Sequence, residues 1–186
     1  MTETGMLRGR LLVAATTLGD PNFNRTVVLV CNHDDDGALG VILNRVTEAA
    51  VADFLPAWAE YVSLPDRVFV GGPVQRETAV AVADLPLPPD GDAWVPIVGT
   101  VGLVDLTLDP AALPARPAGL RVFSGYAGWS SGQLEMEIED GDWFVVPAVT
   151  GDPFTVEHAV LWRSVLRRQS LPLRLYADFP PDPRLN

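Results

Sequence analysis

The 186-residue chain contains no lysine, so all 13 of its basic side chains are arginine. That absence removes a Walker-type phosphate lysine, a Schiff-base lysine and a catalytic lysine base from consideration. Cysteine occurs once, as Cys31, which rules out an internal disulfide; with only His33 and His158 beside it, no structural zinc site and no cofactor are expected. No apolar run approaches the roughly 20 residues a membrane-spanning helix needs, because Arg, Asp, Gly or Pro interrupts every hydrophobic segment. The first residues show neither the basic nor the apolar region of a secretory leader, so the expected compartment is the cytoplasm, with no membrane partner. Positive charge is scarce: 24 acidic residues against 13 basic ones give a formal charge of -11. Nucleic-acid affinity comes largely from Lys and Arg neutralising phosphates, so no direct nucleic-acid binding is expected.

Hydrophobic residues make up 48% of the chain. At this length a single domain buries roughly 70% of the surface its unfolded chain exposes, enough for a core without staples. One domain is expected over residues 7–171, between a frayed end at 1–6 and a proline-rich, extended tail at 172–186. Leu11 to Ala15, Arg25 to Cys31 and Leu39 to Leu43 read as strands, apolar enough for burial on both faces. Val68 to Val70, Thr78 to Ala83, Val95 to Val98, Gly102 to Leu106, Leu120 to Phe123 and Trp143 to Val146 supply further strands. Thr47 is expected to cap a helix carrying Val51, Phe54, Leu55 and Trp58, and Asp109-Pro110 starts a short helical turn. Thr155 should cap the last helix, whose stripe is His158, Leu161, Trp162, Val165 and Leu166. Leu134, Met136 and Ile138 alternate like a strand, whereas Ser130 with Gln133 matches a capping box; periodicity favours a strand and capping a helix.

Three groups of residues invite a chemical reading. Gly125, Gly128 and Gly132, read as a loop between a strand and that short helix, would let bare backbone N–H groups approach an anion. The acidic continuation Glu135, Glu137, Glu139 and Asp140 opposes a phosphate, and a tight turn on which Tyr126 and Trp129 pack is the favoured reading. Cys31 and His33 are one residue apart, so in a regular strand they share a face and form a thiol–imidazole pair; burial of the cysteine is the favoured alternative. Asn32, Asp34, Asp36 and Gly37 match half of a calcium loop, but Leu43 stands where its closing Glu belongs, which leaves an acidic turn between strands. His158 reads as a core histidine. Arg163, Arg167 and Arg168 form a basic face open to an acidic partner, to solvent, or to the acidic cluster from Glu135 to Asp142.

Several of these motifs, in order, resemble the bacterial YqgE/AlgH family. They are Leu12-Val13-Ala14, Asp20-Pro21-x-Phe23-x-Arg25-Thr26-Val27-Val28, Cys31-x-His33, Gly37-Ala38-x-Gly40-Val41-x-Leu43-Asn44-Arg45, Gly71-Gly72-Pro73-Val74, and Gly125-Tyr126-Ala127-x-Trp129-x-x-Gly132-Gln133-Leu134-Glu135-x-Glu137. The resemblance spans about Leu7 to Arg167, and the segment after Arg168 follows no family pattern. It implies an α+β domain with a flattened, barrel-like mixed β-sheet and helices packed around it, and it selects a helix from about Ser131 to Glu139. The family is largely uncharacterised and supplies no catalytic residues to carry over; its regulator label describes a genetic effect.

The first functional expectation is a non-catalytic binding or regulatory module for a protein or small-molecule partner. Its expected surface is Arg25, Cys31, His33, Asn44, Gly125, Tyr126, Gly128, Trp129, Gly132 and Gln133. The alternative is a hydrolase or thiol-dependent enzyme using Cys31 and His33. Direct transcriptional regulation comes third, disfavoured by charge. The residues specify no oligomeric state.

Overall fold

The computed structural model describes residues 7–180; the frayed end expected at 1–6 and the last positions of the tail, 181–186, lie outside the described residues. The strands are β1 (Arg10–Ala14), β2 (Val27–Asp34), β3 (Gly37–Ile42), β4 (Val46–Ala50), β5 (Arg67–Val70), β6 (Val74–Asp84), β7 (Trp94–Val98), β8 (Val101–Val104), β9 (Gly119–Ser130) and β10 (Trp143–Pro147). They form one curled, half-barrel sheet in the order β10-β1-β2-β3-β9-β6-β8-β7, antiparallel along this path. Strand β5 joins from the side, parallel to β9 and antiparallel to β4, which makes the sheet mixed. The α+β, barrel-like, single-domain architecture expected from the sequence is therefore the observed one.

The near-continuous apolarity of β1 and β2 follows from cover on both faces. Leu11, Val13, Val27, Leu29 and Cys31 join one core cluster, and Leu12, Ala14, Val28 and Val30 another. Helix α3 (Leu161–Arg167) inserts Leu161, Trp162, Val165 and Leu166 into the first cluster. Helix α2 (Gln133–Glu139) closes the second with Leu134. This resolves the periodicity conflict at Leu134 to Ile138 as a helix, and the Gln133 side chain reaches back to accept from the Ser130 N–H at 3.0 Å. A third cluster lies where β6 and β9 meet Val51, Trp58 and Leu85.

Four expectations are corrected. Thr47 does not cap the helix that follows it: it lies in β4, which pairs with β5, and its hydroxyl donates to the Val68 carbonyl at 2.7 Å; the helix itself is a short turn, α1 (Val51–Phe54), preceded by Ala50 and followed by a 3-10 turn at Pro56–Trp58. β-branched Val46 and Thr47 fit this edge, and Thr47 meets a cross-strand acceptor instead of capping a helix. Thr155 does not open a long helix either; it accepts from the Glu157 N–H, a 3-10 turn at His158–Val160 follows, and α3 starts at Leu161. Most of the glycine-rich segment is not a loop, because β9 runs through Gly125 and Gly128 to Ser130, paired to β3 and β6; only Ser131 and Gly132 form the turn into α2. The tail is not extended over its described part: α4 (Leu173–Tyr176) packs on α3, Ala177 is fully buried, and Tyr176 lies 4.8 Å from the Phe144 ring. By contrast, Asp109 does start a helical turn, its carboxylate accepting from the Ala111 N–H at 2.9 Å.

Candidate functional site

The residues singled out from the sequence do not converge. Cys31 is fully buried among Val27, Leu29 and Val41; its Sγ lies 3.6 Å from the Leu29 carbonyl oxygen, and burial pushes the thiol up to about 12. His33 lies under α2, with Nε2 2.7 Å from Glu135 Oε1. The shared face expected for the pair is lost because the β2–β3 register shifts between Val30 and Asn32. A bulge of one residue inverts the alternation of the strand, so thiol and imidazole join different layers. Native Cys31 should therefore react with a small maleimide only as fast as the domain unfolds, with a steep rise across the denaturation midpoint. Rapid labelling of the folded chain would contradict this burial.

His33 Nδ1 is buried and has no hydrogen-bond partner among the described residues. Also on α2, Glu137 Oε2 accepts from Trp129 Nε1 at 2.7 Å and from Trp143 Nε1 at 2.8 Å, while Oε1 accepts from Gln133 Nε2 at 2.9 Å. Trp129, Trp143 and Phe23 pack ring against ring above the sheet. Of the predicted surface, Trp129 and Gln133 are thus fasteners for α2. Gly132, with φ 72°, occupies the position just before this helix, and exposed Gly128 pairs with Leu39.

Arg25 and Asn44 do meet each other, away from the glycine strand. The Asn44 side chain accepts from the Val27 N–H at 3.0 Å and donates to the Arg25 carbonyl at 2.9 Å. The Arg25 guanidinium lies 4.4 Å over the Trp162 ring and donates to the Phe179 and Pro180 carbonyls, tying the tail down. Partial burial, then the neighbouring Arg163 charge, lowers its pKa. Two of the three arginines of the α3 basic face, Arg167 and Arg168, find acidic partners within the chain, but not in the cluster at Glu135 to Asp142. Arg168 grips buried Asp152 with two bonds of 2.6 Å, and Arg167 pairs with Asp178 at 3.1 Å. Asn32, Asp34 and Asp36 bond to one another in the β2–β3 hairpin turn. His158 is half-buried and edge-on to Phe69 at 5.2 Å; burial, then the Arg121 charge, lowers its pKa.

Gly125 and Tyr126 belong to a crossing of backbones. Gly125 has φ 69°, and a Cβ on Gly71 or Gly72 would lie 2.1 Å from Gly125 O or Tyr126 C respectively. Glycine is what allows these strands to approach so closely. Immediately after the crossing, β6 leaves its register with β9: Val74 pairs with Tyr126, and pairing resumes only at Ala79 with Ser124. The extra residues bulge outward, with Gln75 at φ 46°, a left-handed conformation that a side chain other than glycine rarely adopts.

This bulge sets Arg76 at the junction of two depressions. The larger, about 410 Å³, has an apolar floor that includes Leu55, Val68 and Val122, with Phe54 at its rim, 69% exposed, and Glu77 as its carboxylate. The smaller, about 190 Å³, is lined by Arg45 and Arg76 together with Asn22, Gly72 and Pro73, and by no carboxylate among the described residues. Arg76 is exposed, and its guanidinium has no hydrogen-bond or ion-pair partner among the described residues. Sequence reading passed over Arg76; its signal is the polar run Gln75-Arg76-Glu77-Thr78 inside an otherwise apolar strand, directly after Gly71-Gly72-Pro73.

A curled mixed sheet, crossed by glycine-bearing strands and covered by short helices, defines a known class of small α+β domain. The chain belongs to the AlgH-like family, whose model matches residues 11–174. It is 47% identical over 190 residues to a UPF0301 protein of Streptomyces coelicolor, covering 100% of this chain and 98% of the relative. With a UPF0301 protein of Mycobacterium tuberculosis it shares 45% identity over 178 residues, 94% of this chain and 88% of the relative. In three dimensions it is similar to the crystal structure of a Corynebacterium diphtheriae protein, with a TM-score of 0.87 and 34% identity over 96% of this chain and 95% of the other. It is also similar to the solution structure of AlgH from Pseudomonas aeruginosa, with a TM-score of 0.69 and 25% identity over 97% and 96%. The Streptomyces match spans the whole chain, so the likeness to relatives does not stop at Arg168. No helix among the described residues is long and apolar enough to cross a membrane.

Proposed function

We propose that this AlgH-like chain is a non-catalytic binding module whose ligand occupies the two-part cleft around the β6 bulge. The observation that carries this reading is Arg76, held out of the sheet by the strained Gln75 backbone, unpartnered among the described residues and shared by both depressions. Backbone strain costs on the order of 1–3 kcal/mol and tends to persist where a site needs it. A concave apolar surface with a few convergent polar groups is the usual form of a small-molecule site. The alternative, a thiol enzyme, has little support: its nucleophile is buried with a raised pKa, and its base lies in another layer. A regulatory role in the cytoplasm would consist in reporting the occupancy of this cleft to a protein partner.

Ala79 is exposed and lines the larger depression, so Ala79→Trp should fill the cleft without disturbing the core. A fragment screen by NMR should give hits that shift the methyls of Leu55, Val68 and Val122 in the parent and lose that effect in Ala79→Trp. Hits scattered over the surface, or equally strong in the variant, would overturn the reading.

A further inference from the structure

Resting on the reading of the cleft as the binding site, we propose that its ligand is an amphipathic oxyanion. A terminal carboxylate or phosphate monoester sits in the recess between Arg45 and Arg76, and its apolar body lies along the larger depression. The charges fix this orientation. Among the described residues the recess is lined by Arg45 and Arg76 and no acid, whereas the larger depression, which Arg76 shares, also carries Glu77.

In a chain of formal charge -11, Arg45 and Arg76 line one recess with no carboxylate in its lining among the described residues. Arg67, Arg167 and Arg168 all pair with aspartates. Arg45 donates through one nitrogen to the Asn24 carbonyl at 2.8 Å, which fixes its position and leaves other N–H groups to donate. A guanidinium matches the planar fork of a carboxylate or phosphate, and two of them can hold one oxyanion from different sides. Asp20, the nearest acid in sequence to the recess residue Asn22, accepts from the Asn22 backbone and side-chain N–H groups at 2.8 and 3.0 Å. The neighbouring apolar lining of Leu55, Val68 and Val122, with the exposed Phe54 ring, gives the ligand body its contact. A bare inorganic anion would leave that surface unused.

The test titrates the full chain with octanoate, octyl phosphate, octanol, octylamine and inorganic phosphate, each below any micellar concentration, followed by backbone-amide and methyl NMR. Octanoate or octyl phosphate should saturate with shifts at Gly72, Gln75, Val68 and Val122, at least about tenfold more tightly than octanol or inorganic phosphate. The stronger of the two anions identifies the head group. Arg45→Gln and Arg76→Gln should each weaken binding about tenfold, and Glu77→Gln should strengthen it about twofold, with the remaining resonances unmoved. If octanol or octylamine binds the cleft as well as octanoate, the ligand class is wrong and the cleft stands. If inorganic phosphate binds as well as octyl phosphate, the apolar arm is wrong. If none of the probes binds while fragments sensitive to Ala79→Trp do, the oxyanion proposal alone falls; if those fragments are absent too, both fall.

Discussion

Gly72→Ala is expected to destabilise the domain by about 3 kcal/mol or more and to sharply reduce its recovery as folded protein. The added Cβ would stand 2.1 Å from Tyr126 C, 2.2 Å from Tyr126 O and 2.3 Å from Ala127 N. All three are backbone atoms of β9, which β3 and β6 hold on either side, so no side chain can turn away to make room. Relief requires the strands to separate, and separation breaks hydrogen bonds at the crossing, such as that from Gly71 N–H to the Ser124 carbonyl at 2.9 Å. Gly19→Ala is the control, because a Cβ there meets nothing within 4 Å; its effect should stay within about 0.5 kcal/mol. Chemical denaturation of the two variants measures the contrast. Equal midpoints would show that the strands do not approach as closely as described.

Arg121→Leu should lower stability by a similar amount, about 3 kcal/mol, through a different cause. Arg121 on β9 is 1% exposed, with its guanidinium carbon 4.2 Å over the Phe69 ring. It donates to the carbonyls of Pro153, Pro65, Leu64 and Thr155 at 3.1 to 3.4 Å, and desolvation lowers its pKa to about 10. It is not ion-paired to any carboxylate among the described residues; its fork of donors ties two irregular segments, at Leu64–Pro65 and Pro153–Thr155, to the sheet. Leucine fills part of the volume and leaves those acceptors without their donor, each buried unsatisfied group costing about 1–3 kcal/mol. In a domain of this size, a loss of about 3 kcal/mol lowers Tm by roughly 6–12 °C. Arg121→Lys should recover part of the loss, since an ammonium keeps the charge but cannot spread its donors as widely. A leucine variant as stable as the parent would show that packing, not donation, holds these segments.

The two variants mark where sequence reading succeeds and where it stops. The strands from Leu11 to Ala15 and from Arg25 to Cys31 were legible because burial on both faces leaves a continuous apolar run. The stripe Leu161, Trp162, Val165 and Leu166 was legible because a helix buried on one side repeats its apolar contacts. Thr47 is ambiguous in sequence because its hydroxyl suits a cap and a cross-strand bond equally well, and only the arrival of Val68 decides between them. Strict alternation puts Cys31 and His33 on one face, and one unpaired residue in β2 is enough to invert it. The glycines from Gly125 to Gly132 look like a loop in one dimension; most of that segment is strand because a second glycine pair, Gly71 and Gly72, crosses it.

By itself, then, the sequence determined the α+β class, the family through its ordered motifs, and the absence of lysine and disulfide chemistry, since these depend on residue types and local periodicity. Only the tertiary structure decided which residues meet. It dispersed Arg25, Cys31, His33 and Gly125 to separate places, and it brought Arg45, just before β4, to Arg76 on the β6 bulge. The physical reason is that pairing register and backbone approach are set by contacts between distant segments, so a bulge or a missing Cβ moves a side chain from one layer to another without altering the local pattern that announces a strand.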